Sequence, residues 1–269
     1  MTTTIALAGK GGTGKTTLAA LLIRYLVEER EGAILAIDAD PASNLNFVLG
    51  MELHQTIGEI REDMLEQVQT SGALAGSMPG GMSKQEYLDY QVQMSLVEGE
   101  KVDLLAMGRP EGQGCYCAAN QMLRLILDRL KGHYDYVVID NEAGMEHLSR
   151  RTTRDVDVLL LVTDPTQRGL ITARRMQEMV PGLEIGVGHI YLVLNRLRGG
   201  GRDEREAIPQ PLAEAIEEAE LDLVGTIPEE SAMAEFEFTG RPLIELPEET
   251  DLYQAVREVA GEILSDGRR

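Results

Sequence analysis

Residues 9–17 read Gly9-Lys-Gly-Gly-Thr-Gly-Lys-Thr-Thr17, set between the apolar run Thr4-Ile-Ala-Leu-Ala8 and the stretch Leu18-Ala-Ala-Leu-Leu-Ile-Arg-Tyr-Leu26. A strand pattern, a glycine loop and a helix pattern follow one another, and the loop fits the phosphate-binding motif G-x-x-x-x-G-K-[ST]. Gly9, Gly11, Gly12 and Gly14 let the backbone turn tightly, with no side chains to hold a phosphate away. Successive N–H groups, Thr13 among them, then form an anion nest. The helix that follows adds its unpaired amides and the positive end of its dipole. In such a loop Lys15 reaches the β- and γ-phosphates, Thr16 places its hydroxyl on Mg²⁺, and Thr17 supports the α-phosphate. The expected cofactors are therefore ATP and Mg²⁺. Lys10 is surplus to this motif, so the loop carries a second message.

Outward from the loop, short apolar runs rich in Val, Ile and Leu alternate with helical patterns. Strands are expected at 3–8, 33–38, 102–107, 135–140, 157–163, 189–195 and 222–227, as strands buried on both faces should read. Helices are expected at 16–29, 117–131, 169–180 and 204–219. This order predicts an α/β fold with a doubly wound, mainly parallel sheet of about seven strands, of the P-loop NTPase type. One domain over 1–269 is expected. Residues 51–101 read as a helical insertion after the second strand, with helical pieces near 56–69 and 83–97. Met64, Met78, Met82 and Met94 fall there and read as gap-fillers in helix packing.

Two carboxylate motifs lie at predicted strand ends, where ligands of such sheets bind. The second strand closes on Asp38-Ala-Asp40-Pro41. Asp-Pro is also a common turn; beside a phosphate loop it reads as a switch segment, with Asp40 orienting the attacking water and Asp38 helping to hold the Mg²⁺ shell. The fourth strand closes on Tyr136-Val-Val-Ile-Asp140. Asp140 is expected to bind Mg²⁺ through water, since that ion keeps several waters and needs few carboxylates. Ala143-Gly144 forms the turn that senses the γ-phosphate.

The chain has 25 basic and 45 acidic residues, a formal net charge of −20. Phosphate backbones require clustered Lys and Arg, so no nucleic-acid partner is expected, and the same charge argues against anionic membranes. No apolar run reaches the roughly 18 residues of a spanning helix, and the last helical pattern, Thr250 to Leu264, is not a basic amphipathic anchor. Together with a strand that begins at once, these features predict a cytoplasmic protein.

The two cysteines, Cys115 and Cys117, stand in Gly112-Gln-Gly-Cys-Tyr-Cys117. A free Cys is usually a small core residue, and a strained local disulfide is another reading. After glycines, at an expected helix start, thiolate is favoured, and thiolate binds metal. A closed tetrahedral site needs four ligands. His133 and His147 are candidates for the other two; a second copy of the chain supplies two thiolates without further assumption. That points to a metal ion shared at a homodimer interface.

The loop 9–17 resembles the deviant Walker A motif of the MinD, ParA and nitrogenase iron-protein ATPases, whose extra lysine crosses a dimer interface to the partner's nucleotide. With Cys115-Tyr-Cys117 and Ala143-Gly-Met-Glu-His-Leu148, the chain resembles the CooC family of nickel-insertion ATPases. The resemblance implies that Lys10, Lys15 and Asp40 carry hydrolysis in an ATP-dependent homodimer, which binds Ni²⁺ or Zn²⁺ at its interface through Cys115 and Cys117 of both subunits. It also implies that Asn195 and the Pro228-Glu229 loop flank adenine. The client it implies is a nickel-containing carbon monoxide dehydrogenase or acetyl-CoA synthase. Two other readings stand beside it. An iron–sulfur cluster carrier or nitrogenase-type reductase is one, although those proteins hold a cysteine in the segment matching 140–144, where this chain has none. A MinD- or ParA-like positioning ATPase is the other.

Overall fold

A computed structural model gives the fold and describes residues 2–70, 93–108, 126–145, 155–183, 185–198 and 208–266, with positions 82, 83, 86, 90 and 124 between them. Seven strands form one sheet: β1 (Thr3–Ala8), β2 (Ile34–Ala39), β3 (Val102–Ala106), β4 (Tyr136–Asn141), β5 (Asp155–Thr163), β6 (Gly186–Leu197) and β7 (Leu223–Pro228). Their order is β3-β2-β4-β1-β5-β6-β7, and every pairing is parallel. The winding therefore runs from β1 toward one edge and returns past it to the other, which makes the carboxyl end of β1 the crevice for a ligand.

The helices among the described residues include α1 (Lys15–Glu29), α2 (Leu45–Leu49), α3 (Ile57–Thr70), α4 (Gln167–Met179), α5 (Gln210–Glu218), α6 (Ala232–Thr239) and α7 (Asp251–Asp266), and residues 126–130 are helical as well. Strand side chains alternate between two cores. Ile5, Leu7, Ala36, Val138, Leu160 and Val193 face α1 and α7; Ala6, Ala8, Ile37, Ile139, Leu161 and Leu194 face α4, α5 and the start of α3. Both faces are covered, so the strands read as unbroken apolar runs rather than alternating ones.

All seven strands fall where the sequence places them, and β5 and β6 begin earlier than expected. Gly186 and Gly188 conceal the start of β6: the α-carbon of Gly188 lies so close to the Asp157 carbonyl that a Cβ there would sit 2.6 Å from its oxygen. Two short helices, α2 and α6, have no counterpart in the sequence expectation, because five and eight residues are too few for a 3.6-residue period to emerge. The expected piece at 56–69 corresponds to α3. Positions 86, 90 and 93–95 of the piece at 83–97 are helical. Most of the expected helix 117–131 and residues 204–207 lie outside the described residues, as do Met78 and His147. Among the described residues, no helix is long and apolar enough to cross a membrane.

Helix α1 is buried on nearly every side from Leu18 to Leu26. It carries one charge into that core. The Arg24 guanidinium lies 4.0 Å from the centre of the Tyr253 ring, pairs with Glu28 at 2.7 Å, and donates to the Leu246 carbonyl. Tyr253 in turn donates its hydroxyl to Glu28. Arg24 so joins α1, α7 and the segment before α7. Removing it leaves Glu28 without its cation and the Leu246 carbonyl without its donor. Arg24→Ala should lower the unfolding free energy by about 3 kcal/mol, read as a shift of the urea midpoint with an unchanged slope.

Candidate functional site

Parallel pairing in register assembles the site. Leu7 and Asp38 both stand opposite Asp140, and Ala39 opposite Asn141. The two aspartates thus end adjacent strands in one row, beside the strand that runs directly into the loop 9–14. Asn141 pins that junction: its buried side-chain amide donates to the Leu7 carbonyl at 2.8 Å.

Within the loop, Gly12 and Gly14 have φ of +79° and +88°, a region open to glycine at little cost. Gly14 is the residue before α1. Gly9 packs so closely on the Val162 carbonyl of β5 that no Cβ fits. The Lys10 carbonyl accepts from Thr13 Oγ1 at 2.9 Å and from Lys15 Nζ at 3.2 Å, and Lys15 Nζ also donates to the Gly9 carbonyl at 3.3 Å. Lys15 is buried, which pulls its pKa down, while Asp140, Asp40 and Glu142 act to raise it. Lys10 and Gly11 are exposed. The Gly144 amide donates to the Gly9 carbonyl at 3.0 Å, so a backbone hydrogen bond joins the turn after β4 to the loop.

Thr16 Oγ1 donates to Asp140 Oδ2 at 2.6 Å, while Asp140 Oδ1 is buried without a hydrogen-bond partner. Burial pushes the Asp140 carboxyl up to about 7; the charges of Asp38 and Asp40 add to this, and the Thr16 hydrogen bond and Lys15 oppose it. A hydroxyl and a buried carboxylate with an unmatched oxygen are hard donors. They fit Mg²⁺, which takes one or two protein oxygens and keeps its waters.

The two switch aspartates are both tied to the segment that follows β2. Asp38 is fully buried, and both its oxygens accept from backbone amides, Oδ1 from Asp40 at 3.0 Å and Oδ2 from Leu45 at 2.9 Å. It fixes the loop 40–44 and the start of α2. Burial pushes it up to about 6. Asp40 is half-buried and caps its own turn, accepting from the Ala42 amide at 2.8 Å.

Beyond the loop, a cavity of about 680 Å³ lies between the ends of β5, β6 and β7, lined in part by Asp164, Thr166, Arg196, Arg198 and Glu229. Thr166 caps α4 by accepting from the Gly169 amide at 3.0 Å. Arg198 and Glu229 pair across its rim at 2.8 Å. Pro228 ends β7, and the Glu229 amide donates to the Leu197 carbonyl. Asn195, expected against adenine, is buried, and its side-chain amide donates to the Thr13 carbonyl at 2.7 Å. Sequence reasoning missed Asp164, Arg196 and Arg198. Thr166 had a visible signal, a Thr before a helical pattern; Arg196 had none. Thr17 lies where α1 meets α2 and α6, lining a smaller pocket with Asn44 and Phe47.

Cys115, Cys117 and His147 lie outside the described residues; His133 is exposed in a short 3-10 turn. Among the described residues, no group of three or more His, Cys, Asp or Glu is placed to hold a metal ion.

Asp140 ties stability to pH with a definite sign. Its folded pKa lies above its ordinary value of 3.8, so between that value and about 7 the folded chain binds the proton that the unfolded chain has released. Its contribution is most favourable below that window and is lost as pH rises through it, by on the order of a few kcal/mol. Asp140→Asn in metal-free buffer should therefore melt higher than the parent chain at pH 8, by several degrees, with the gap closing toward pH 5. Paired thermal melts across that range check it, and a gap independent of pH would contradict the buried charge.

Residues 4–243 match the CobQ/CobB/MinD/ParA nucleotide binding domain family. The chain is 43% identical over 261 residues to an uncharacterised ATP-binding protein of Methanocaldococcus jannaschii, covering 97% of this chain and 98% of that one. It is 30% identical over 240 residues to the carbon monoxide dehydrogenase accessory protein CooC of Rhodospirillum rubrum, covering 85% and 84%. Among solved structures, the cell division ATPase MinD of Pyrococcus furiosus aligns with a TM-score of 0.68 at 25% identity, over 98% of this chain and 99% of that one.

Proposed function

Because the chain belongs to the CobQ/CobB/MinD/ParA nucleotide-binding family and is an ATPase of that kind, we propose that it works as a homodimer that couples ATP hydrolysis to nickel delivery. The client is a carbon monoxide dehydrogenase or a related acetyl-CoA synthase, as the likeness to CooC suggests. The observation that carries this reading is Cys115-Tyr-Cys117 in a chain that also has Lys10 in its phosphate loop.

On this reading the loop amides and Lys15 bind the phosphates. Thr16 and Asp140 hold Mg²⁺, which neutralises phosphate charge when bound. Asp40 orients the water, and Asp38 keeps the segment carrying Asp40 in place. Lys10, exposed on the loop, reaches the partner's phosphates, so closing the dimer and binding ATP become one event. The same closure brings four thiolates together, and nickel is their cargo. Thiolate ligation suits nickel and zinc alike, and the geometry of closure tunes how tightly it is held.

A positioning ATPase is a second reading, favoured by the full-length alignment with MinD. A nickel test separates the two. Protein equilibrated with nickel and desalted should retain about one ion per two chains, changing when a non-hydrolysable ATP analogue is added. Cys115→Ala/Cys117→Ala should retain almost none. Equal retention by both proteins would sink nickel delivery, and ATP-dependent pelleting with liposomes or DNA would then support positioning. Brown protein from an anaerobic preparation would instead indicate an iron–sulfur cluster. Lys10→Ala should reduce ATP turnover by at least about tenfold and abolish nucleotide-driven dimerisation on a sizing column.

A further inference from the structure

Leu7 and Gly9, two residues apart where β1 runs out into the loop, both accept hydrogen bonds from the end of β4 and the turn after it. The Leu7 carbonyl accepts from Asn141 Nδ2 at 2.8 Å, and the Gly9 carbonyl accepts from the Gly144 amide at 3.0 Å. The second bond is main chain to main chain, in an isolated antiparallel bridge between the two glycines. The first is made by a side chain. Asn141 is the last residue of β4 and is 2% exposed, so its amide has no water to turn to and spends a donor on β1. Leu7, the residue it holds, is the one that stands opposite Asp140.

We propose that Asn141 is a positioning residue for the Mg²⁺ site: by tying the exit of β1 to the end of β4, it sets the span between Thr16 and Asp140. Thr16 lies beyond the loop, at the start of α1, and Asp140 lies on the strand. The distance between them therefore depends on how the chain leaves β1. On its other side that exit is confined by β5, since a Cβ on Gly9 would sit 2.2 Å from the Val162 carbonyl. Asp140 itself has Thr16 on one oxygen and no protein partner on the other, so little else fixes the pair from within. Mg²⁺ demands short bonds in near-octahedral geometry. A change in the span is felt by the ion more than by phosphates, which a row of loop amides meets.

The proposal rests on the reading of Thr16 and Asp140 as the Mg²⁺ donors, and the experiment separates the two. Calorimetry measures Mg²⁺ binding to the chain saturated with a non-hydrolysable ATP analogue, and binding of the same analogue in a chelator. Asn141→Leu keeps the branched shape without the donor, and Asn141→Ala removes both. Tyr134→Phe is the control: Tyr134 donates to Asp103 at 2.6 Å just ahead of β4, so its loss weakens the attachment of that strand at the end away from the loop. Both Asn141 variants should bind Mg²⁺ at least about tenfold more weakly, the usual loss for a residue that supports a metal ligand. They should bind the metal-free analogue within about twofold of the parent chain. Tyr134→Phe should keep the parent Mg²⁺ affinity. Parent-like Mg²⁺ affinity in Asn141 variants that melt lower would reduce the bond to a structural one. An equal loss for the metal-free analogue would mark a general distortion of the loop, and weaker Mg²⁺ binding by Tyr134→Phe would mark a general loosening of the sheet. Each of these results overturns the proposal. Should Asn141→Leu fail to fold, Asn141→Ala, which cannot overpack, decides alone. Asp140→Asn tests the underlying reading: parent-like Mg²⁺ binding there removes Asp140 from the site, whatever the Asn141 variants do.

Discussion

Register across β2, β4 and β1 is the constraint from which the site follows. Parallel strands start and stop together only if their pairing is held without slippage, and here Ile34 to Ala39 pair one for one with Tyr136 to Asn141, and Thr3 to Leu7 with Tyr136 to Asp140. A slip of one residue would turn the aspartates to the opposite face. The two apolar cores prevent it, because every strand residue that would move already has a fixed place on one side or the other. Core packing therefore sets the position of the carboxylates, and Asn141 fastens the result to β1.

The same packing makes the site costly to the fold. Asp38 and Asp140 are adjacent and buried, with both carboxyls pushed up toward neutrality. Asp38 offsets part of its cost through two backbone amides. Asp140 has Thr16 on one oxygen and no partner on the other. That asymmetry is what a cation site requires, since the oxygen without a protein donor is the one available to a metal or its waters. It also explains why Asp140 stands apart from the other polar groups of the core, most of which are satisfied locally.

Much of this was legible in the sequence, for reasons that can be located. The loop 9–17 was readable because its glycines, lysine and threonines act through local chemistry in consecutive positions. The strands were readable because burial on both faces leaves an apolar run. The short helices α2 and α6 were not, since neither is long enough to show a period. The strand-end aspartates stood out in the sequence; which amides and hydroxyls their oxygens meet did not, because that depends on the backbone path of residues 40–45. Asn195 stood out in the sequence only by resemblance; its direction is set by Arg196, at φ +60°, and by the irregular pairing of β6 with β7, neither of which has a sequence signature. The cavity residues Asp164, Arg196 and Arg198 converge from separate strand ends, so no local pattern could join them.

The Arg24 cluster has a consequence for how the chain comes to be folded. Helix α1, which follows the phosphate loop directly, buries its outer face against α7 and the segment that precedes it, and its bonds to Tyr253 and Leu246 span 225 and 222 positions of the chain. During synthesis the loop and α1 leave the ribosome 222 to 225 positions ahead of the residues that cover them. Until then α1 is an apolar helix whose arginine has only Glu28 of its own turn as a partner, covered on one side at most. Contacts of such long separation form slowly, and surfaces left open in the interval are the ones that chaperones bind and aggregates grow from. The phosphate-loop layer is thus completed only once α7 has been made, and a chain truncated before residue 246 would emerge with its nucleotide motif intact and its first helix unburied.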